Sequence, residues 1–463
     1  MEQELKTPVL VASTLDTYSC YISESKRRED RLFDDSCSPL TREKNQGSNY
    51  FKSAQWSTTI SYFLLVSLPK KELTNIHRSP DGTSILTSSA DNVVRTFIIP
   101  PTLLSDTGIT ELTPYTRHFN PAPISCLDVH PSFDLSSPST TYYISAPSGF
   151  PIRLLNALSP TPVLMSTYSL ISETTEAYLT PASMIFPSSS QLFSGTDCLI
   201  ALFDLSRNGS GPILRLPTVP SKRHRMKGGG VGMRGIVSAL AAQSDQNGTL
   251  AAGTWTRWVG LYDSGGLGGT VATWSVAEAA DKISGIGGNG VSQVIWSECG
   301  RYLFVAERMS KGLVTGKLVA WLEGREARTN QRLGVNLFQA ESGIEIWAGG
   351  TDGVVRVWES VEKKSGAIES SWDWLAHQGI SQTIQISKNH FHRLLIQFLD
   401  PVTSTIVHSS GTVVATSSGQ RRYPAVNKFS EDFSDSSDSS SDMTSLSACS
   451  PVIYDNNLKI WSL

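Results

Sequence analysis

The sequence lacks a strong excess of charge of either sign. Its 463 residues include 39 Lys and Arg against 42 Asp and Glu, a formal net charge of −3. A polycation is therefore excluded, and any nucleic-acid surface has to be a local basic patch. Charged residues make up 17% and hydrophobic residues 39% of the chain. Both fractions are low for a globular protein, but they do not reach the levels of disordered chains.

Cysteine is scarce, and long apolar runs are missing. The six cysteines are scattered without a Cys-x-x-Cys pair, so we expect reduced, mostly buried thiols rather than a disulfide scaffold. The most apolar run, TTISYFLLVSLP at 58–69, is far shorter than the ~20 residues that cross a bilayer. The start, MEQELKTPVL, has no cationic segment followed by an apolar stretch, so no secretory signal is evident. We expect no membrane association.

Motifs for catalysis are missing as well. The Gly-rich segments 228–235 and 285–290 lack the strand–loop–helix context of a nucleotide site, and there is no Gly-x-Ser-x-Gly elbow. His390 and His392 form a His-x-His pair without a nearby carboxylate or cysteine, whereas zinc typically has three or four ligands. The sequence predicts no enzymatic activity, no cofactor and no metal site.

A degenerate repeat is the most informative feature that is present. Each copy is a strand, a Gly/Ser/Asp turn, and a second strand that alternates apolar and polar residues, which is typical of half-buried strands. This second strand ends in an aromatic residue that we expect in the core, namely Phe97, Phe203, Tyr262, Trp358 or Trp461. The copies are DNVVRTFI (91–98), DCLIALFD (197–204), RWVGLYD (257–263), DGVVRVWE (352–359) and NNLKIWS (456–462).

Short strands that recur in such units indicate an all-β fold, a seven-bladed WD40-type β-propeller. Blades of about 40–45 residues leave room for tails and insertions. An array of β-sandwiches is the structural alternative. The last copy lies at the C-terminal end, which suits a blade completed by both chain ends, and PVLVAST (8–14) is a candidate partner strand. Asp91, Asp197 and Asp352 occupy tight turns, where Asp bonds backbone N–H groups, so we assign them structural roles.

The expected organisation has four parts. Residues 1–48 are mostly disordered, 49–424 form the propeller, 425–455 are a Ser/Asp-rich disordered loop, and 456–463 are the closing strand. The Ser/Asp-rich tract cannot bury enough apolar surface to offset its ordering entropy. Its serines are also candidates for phosphorylation.

Three basic clusters stand out as binding candidates. They are KRHRMK (222–227), GREARTNQR (324–332) and SGQRRYP (418–424). Arg presents a planar fork to phosphate oxygens and a stacking plane to bases. For the second cluster, RNA contact, a structural role and protein contact stay open; for the first, a nuclear-import signal or a solvated loop is an equal alternative. The candidate RNA-binding residues are Arg325, Arg328, Asn330, Gln331, Arg332, Arg421 and Arg422.

Several segments, in this order, resemble the telomerase Cajal body protein 1 family of WD-repeat propellers, as a fungal member. They include SPDGTSILTSSADNVVRTFIIP (79–100), FSGTDCLIALFDLSR (193–207), AAGTWTRWVGLYD (251–263), GREARTNQRLGVNL (324–337) and ATSSGQRRYP (415–424). The resemblance covers about 49–424 and the final strand. It implies a non-enzymatic protein of the nucleus, in the Cajal body or nucleoplasm, that binds small nuclear or Cajal-body RNA, telomerase RNA included. It also implies ribonucleoprotein proteins as partners, with neither DNA nor a membrane. The alternative is a general protein-interaction scaffold that makes no RNA contact.

The sequence departs from that family's pattern in three places. Extra residues interrupt it at about 58–78 and 379–399. We interpret both as translated introns or lineage insertions, which either loop out at a blade corner or disrupt its strand. Between AERMSKG (306–312) and LVTGKLVAWL (313–322) the expected aromatic–Asp strand is absent. We therefore expect this blade to have three strands or to borrow one.

Overall fold

Short antiparallel strands joined by turns make up nearly all of the regular structure. In the computed structural model, none of the helical turns of the described residues has the length and apolar character to cross a membrane. These turns are Pro138–Thr140, Ala279–Ile283 and Val361–Lys363. The structure describes residues 7–14, 51–56, 82–105, 108–219, 232–243, 248–263, 269–283, 285–310, 313–315, 319–378, 382–385, 393–396, 400–419 and 455–463.

The strands are numbered here in chain order. They are β1 (Val9–Ser13), β2 (Phe51–Trp56), β3 (Ser84–Ser89), β4 (Val93–Ile98), β5 (Thr110–Glu111), β6 (Thr116–Phe119), β7 (Ile124–Val129), β8 (Tyr142–Pro147), β9 (Ile152–Asn156), β10 (Leu164–Tyr168), β11 (Ser183–Ser188), β12 (Gln191–Thr196), β13 (Leu199–Asp204), β14 (Leu214–Pro217), β15 (Val237–Ala242), β16 (Thr249–Thr254), β17 (Trp258–Asp263), β18 (Thr270–Ser275), β19 (Val291–Trp296), β20 (Leu303–Glu307), β21 (Leu313–Thr315), β22 (Ala320–Leu322), β23 (Val335–Ala340), β24 (Gly343–Gly349), β25 (Val354–Trp358), β26 (Gly366–Ile368), β27 (Trp372–Leu375), β28 (Gln382–Gln385), β29 (Arg393–Ile396), β30 (Val402–Val407), β31 (Val413–Ser418) and β32 (Leu458–Ser462).

Seven of the sheets within the described ranges contain four strands or more, and each is one blade of a propeller. From the inner strand outwards, blade I is β2–β3–β4–β6, blade II β7–β8–β9–β10, blade III β11–β12–β13–β14 and blade IV β15–β16–β17–β18. Blade V is β19–β20–β21–β22, blade VI β23–β24–β25–β27 and blade VII β30–β31–β32–β1. The predicted seven-bladed β-propeller is therefore confirmed.

The repeat predicted the blade cores correctly. Each of the five alternating segments forms the third strand of a blade: β4, β13, β17, β25 and β32. The aromatic residues that end them are buried, with at most 8% of their surface exposed. The two faces of a third strand pack against different neighbours, as Phe97 and Val94 of β4 do, because successive side chains of a strand point to opposite faces.

Asp91 and Asp352, in the turns of blades I and VI, accept hydrogen bonds from backbone N–H groups, as the sequence predicts. Asp91 accepts the Val93 N–H at 3.2 Å and both guanidinium nitrogens of Arg95, at 3.1 and 2.5 Å. Asp352 repeats this arrangement with Val354 and Arg356, at 3.3, 3.2 and 2.6 Å. Each carboxylate thus fixes a tight turn and neutralises the arginine four positions later.

Both chain ends complete blade VII. Strand β32 pairs with β31 on one side and with the N-terminal strand β1 on the other, both antiparallel. The Thr14 hydroxyl donates to Asn457 Oδ1 at 3.3 Å and accepts the Leu458 N–H at 3.1 Å. The candidate strand at 8–14 is therefore β1, and the ring is closed by pairing between the two ends of the sequence.

Hydrogen bonds link the inner strands around the entire ring. All seven junctions carry at least one bond between the described residues: Gln55 Nε2 to Asp128 Oδ1 (3.4 Å), Cys126 Sγ to Pro181 O (3.4 Å), Ser183 Oγ to Val237 O (2.8 Å), Ser238 Oγ to Val291 O (2.5 Å), Gln293 Nε2 to Val335 O (2.8 Å), Gly334 N to Thr403 O (2.8 Å) and Ser404 Oγ to Ala54 O (3.2 Å). Outside these bonds, each junction contains its own hydrophobic cluster of residues from both blades.

Blade V corrects one expectation. It has four antiparallel strands rather than three, but β21 and β22 contain only three residues each. The missing aromatic–Asp ending therefore shortened the strand without removing it. A borrowed strand is also present, at the outer edge, where β26 pairs in parallel with β22.

The same device appears at blade VII, where β5 pairs in parallel with β1. Both added strands come from the connection between the third and fourth strands of the following blade, which reaches back to its neighbour. An exposed sheet edge is a template for unwanted pairing. These excursions therefore cover part of the outer edge of two blades.

The predicted boundaries and insertions fall largely outside the described residues. The insertion at 58–78 lies outside them, as do 15–50 and 420–454, which contain most of the predicted N-terminal region and the Ser/Asp-rich loop. Within 379–399, β28 and β29 form a two-stranded antiparallel sheet of their own. The division of the chain at 48, 424 and 455 stays a prediction.

A buried polar chain joins blades VI and VII through Asp455. Trp461 Nε1 donates to Thr416 Oγ1 at 2.9 Å, and that hydroxyl bonds His377 Nε2 at 2.9 Å. His377 Nδ1 lies 3.4 Å from Asp455 Oδ2, which also accepts from Lys459 at 2.5 Å. Burial alone would raise the pKa of Asp455, but His377 and Lys459 lower it well below its usual range. Burial lowers the pKa of His377.

The first prediction concerns the polar side chains that are linked through Asp455. An Asp pKa that is lower in the folded protein stabilises the fold above the unfolded value of about 3.9, and this stability is lost as the pH falls. Asp455→Asn should reduce the free energy of unfolding at pH 7 by about 2–4 kcal/mol, measured by urea denaturation, and should weaken its fall in acid. Asp373→Asn, at an exposed position of β27, is the control. Equal stability of the two variants would contradict the assignment.

The second prediction concerns ring closure. Ala12 is fully buried in β1, whereas Val9 of the same strand is 65% exposed. Ala12→Asp places an unpaired charge in the core between blades VII and I and should destabilise the protein by about 3 kcal/mol. Val9→Asp should change the thermal midpoint little. A small effect of Ala12→Asp would show that β1 is dispensable for closure.

Candidate nucleic-acid interface

One face of the propeller collects the long connections. We call it the upper face: it is the face at which the inner strands β2, β7, β11, β15, β19, β23 and β30 begin. The inner strands of all seven blades line a central channel of about 860 Å³. Because neighbouring strands are antiparallel, the turns between second and third strands and the links from one blade to the next also reach this face.

One of the three predicted basic clusters lies on the upper face. Residues 324–332 lie in the link from blade V to blade VI. Residues 222–227 and 421–424 lie outside the described residues, but their described neighbours are on this face. The Met233 N–H bonds Thr218 O at 2.8 Å, and the Ser418 N–H bonds Asn457 O at 3.0 Å. These bonds join described residues that flank each of the two segments.

Two of the clusters are in direct contact. The Gln331 side-chain amide donates to the Gly419 carbonyl at 2.8 Å, two and three residues before Arg421 and Arg422. Asn330 is exposed and lines the mouth of the channel together with Gln331. Gln331 of the GREARTNQR segment thus contacts Gly419, the last described residue of the SGQRRYP segment.

Arg332 reaches from blade VI across the channel. Its guanidinium donates to the Ala182 carbonyl at 3.4 Å and to that of Ser238, which belong to blades III and IV. The side chain is surrounded by protein atoms of the channel wall, but it is exposed to the open channel. Burial lowers the pKa of Arg332, and the nearby positive charge of Arg308 lowers it further.

Two carboxyl groups of the described residues line the channel, those of Asp128 and Asp197. Burial raises the pKa of Asp128, which lines the channel, to about 7. This carboxyl group is therefore only partly ionised at neutral pH. Burial likewise raises the pKa of the Cys126 thiol to about 12, so the thiol is neutral.

Arg325 departs from the expectation of an accessible basic side chain. Only 1% of its surface is exposed. Its guanidinium donates to the Gly349 and Leu333 carbonyls, at 3.1 and 3.0 Å. Burial lowers its pKa to about 10, so it stays charged at neutral pH while tying β24 to the link before β23. This is the structural role that the sequence left open, and we remove Arg325 from the candidate surface.

Of the remaining candidate residues, Arg328 is described by the structure, whereas Arg421 and Arg422 are not. Arg328 is exposed, with Glu326 Oε2 at 3.6 Å from its Nε. A pair this exposed contributes little, so the guanidinium remains free to bind. Arg421 and Arg422 lie outside the described residues, as do His390 and His392. Among the side chains that are described, no group of three or more His, Cys, Asp or Glu is placed to hold a metal ion.

Sequence reasoning missed two residues at the channel mouth, Trp255 and Arg308. Trp255 lies in the turn between β16 and β17 and is 43% exposed. The Arg308 guanidinium carbon lies 4.6 Å from the centre of its ring. A signal was present: the corresponding turn position of blade I is Ala90, and a large aromatic residue in such a turn has no core to fill.

The comparisons with known proteins support the fold and the resemblance. No family model matches the chain. It is 28% identical over 356 residues to telomerase Cajal body protein 1 of Mesocricetus auratus, and 26% identical over 387 residues to the protein of that name in Homo sapiens. These matches cover 75% and 81% of the chain, but only 58% and 60% of the relatives. The chain thus spans about three fifths of their length.

A further relative is covered more fully. The guanine nucleotide-binding protein negative regulator 1 of Schizosaccharomyces pombe is 25% identical over 343 residues, which are 71% of this chain and 81% of that protein. Together with the seven blades, these matches confirm the resemblance deduced from the ordered motifs: the chain is a WD-repeat propeller similar in sequence to proteins named telomerase Cajal body protein 1.

Proposed function

We propose that this propeller binds small nuclear RNA through its upper face, and that it aids assembly or localisation of a ribonucleoprotein. The observation that supports the proposal is the hydrogen bond between Gln331, which lines the channel, and Gly419, which precedes Arg421 and Arg422 in the sequence. The proposed surface consists of Arg328, Asn330, Gln331, Arg332, Arg421 and Arg422.

The chemistry of this surface suits an RNA with unpaired nucleotides. Arginine forks bind phosphate oxygens, and the amides of Asn330 and Gln331 offer donors and acceptors to base edges. A rigid ring holds these groups in place, which keeps the entropy cost of binding low. Most other arginines of the described upper face are neutralised: Arg95 by Asp91, Arg356 by Asp352, and Arg257 by Asp281 and Glu307.

The names of the relatives also support the proposal of a nuclear ribonucleoprotein function. Several carry telomerase and the Cajal body in their names; for this chain we infer a nuclear location, RNA of that class, telomerase RNA included, and proteins of its ribonucleoprotein as partners. The proposal assigns no catalytic step to the chain.

The third prediction tests the surface. Arg421→Glu/Arg422→Glu should weaken binding of crosslinked small nuclear RNA at least tenfold. Because each lost phosphate contact to a single strand lowers the salt dependence, the slope of log K against log salt should fall by about 0.7 per contact. The measurement is crosslinking and sequencing in cells, followed by titration of the recovered RNA at several salt concentrations.

The control reverses two arginines on the opposite face. Arg207 and Arg301 are exposed and lie in the β13–β14 and β19–β20 connections, so Arg207→Glu/Arg301→Glu should leave RNA binding unchanged. If only background RNA is recovered while a protein partner persists in high salt, the chain is a scaffold propeller instead. If both double variants lose RNA equally, net charge rather than this surface governs binding.

A further inference from the structure

Trp255 and Arg308 form a cation–aromatic pair at the channel mouth, between blades IV and V. The guanidinium carbon lies 4.6 Å from the ring centre, within the range of a favourable cation–π contact. Both residues line the channel beside Asn330, Gln331 and Arg332. The pair therefore adjoins the surface proposed above.

The turn that carries Trp255 is held on both sides. Its N–H donates to the Ile236 carbonyl at 3.1 Å, and the Thr256 hydroxyl donates to the Arg234 carbonyl at 2.5 Å. With 43% of its surface exposed, Trp255 is a large aromatic side chain on a fixed backbone that contributes little to the core.

A Gly-rich loop makes room for the pair. The backbone N–H groups of Asn289 and Arg308 bond the carbonyls of Arg308 and Gly290, at 2.8 and 2.9 Å. Gly290 has a φ of +106°, and a Cβ there would lie 2.6 Å from Trp255 O and 3.1 Å from Arg308 Nη2. A side chain at this position would force the pair apart. The GIGGNG segment lacks the context of a nucleotide-binding loop, and its last glycine instead leaves room for Trp255 and Arg308.

Arg308 retains unused binding capacity. Its Nη2 donates to the Asn289 carbonyl at 3.3 Å, while its Nε is buried without a partner. Among the described residues it forms no salt bridge with a carboxylate, and the adjacent acid, Glu307, is bonded to Arg257 at 2.7 Å. A buried donor without a partner is costly. Because no carboxylate of the described residues balances this guanidinium, an anion at the channel mouth would pair with its charge.

We propose that Trp255 is a stacking platform for one unpaired nucleobase of the bound RNA, and that Arg308 binds the phosphate of that nucleotide. This assignment rests on the proposed function and extends it to a residue pair in blades IV and V. Arg308 supports the indole from one face, and the exposed part of the ring receives the base. Stacking on an aromatic ring accepts any base and requires a single strand, so the pair selects unpaired over duplex RNA.

The fourth prediction uses defined probes: oligoadenylate, oligouridylate and the duplex of the two, titrated with the full chain. Trp255→Ala should weaken oligoadenylate binding by about 5- to 150-fold, the range for loss of one stacked base, and leave duplex binding unchanged. Trp255→Phe should restore most of the loss. Arg308→Gln should lower the salt slope by about 0.7, whereas Trp255→Ala, which removes no charge, should leave it unaltered.

Tyr115→Ala is the matched control, because Tyr115 is 61% exposed and precedes β6 at the opposite end of blade I; it should bind like the unmodified protein. The thermal midpoints of the Trp255 and Tyr115 variants should agree with that of the unmodified protein, since neither aromatic side chain is buried. Normal single-strand binding by Trp255→Ala, together with loss in Arg421→Glu/Arg422→Glu, overturns the platform and spares the proposed function. Absence of RNA binding by the unmodified chain overturns both.

Discussion

The structure depends on the pairing of β32 with β1, because this contact turns a row of seven sheets into a ring. Neither face of a blade is covered by the blade itself, and each of the seven hydrophobic cores takes residues from two neighbours. An open row would leave two such faces in water. Closure also completes the circle of hydrogen bonds between inner strands, so the channel wall and the groups at its mouth are fixed together.

The proposed binding surface gains its rigidity from this closure. Its residues come from links and turns, the least regular parts of the chain, yet each is tied to the ring: Gln331 to Gly419, Arg332 to blades III and IV, Trp255 to Ile236. Arg325 shows the cost of the arrangement, because a charged side chain is buried and satisfied by two carbonyls to hold the link in position. A basic segment thus contains both structural and accessible arginines.

Much of the fold could be predicted because period-two alternation and turn chemistry are local properties. The burial of Phe97 and Trp358 follows from the alternating pattern of a single strand, and the positions of Asp91 and Asp352 predict tight turns. The absent aromatic–Asp ending indicated that blade V is irregular, but the parallel pairing of β22 with β26 could not be predicted, because β26 belongs to another blade. The site was harder still: no local pattern tells that Arg325 points inward and Arg328 outward, and the Trp255–Arg308 pair forms only because adjacent blades bring two distant turns together.

The closing contact also sets a waiting time during synthesis. Thr14 and Asn457, which are bonded in blade VII, stand 443 positions apart. At about 5–20 residues per second, the ribosome needs on the order of half a minute or more to deliver the second partner. Throughout that interval β1 has no β32 to join, although β5 emerges early and can shelter one side of it. Before β32 is made, β5 is therefore the available pairing partner of β1 in the nascent chain.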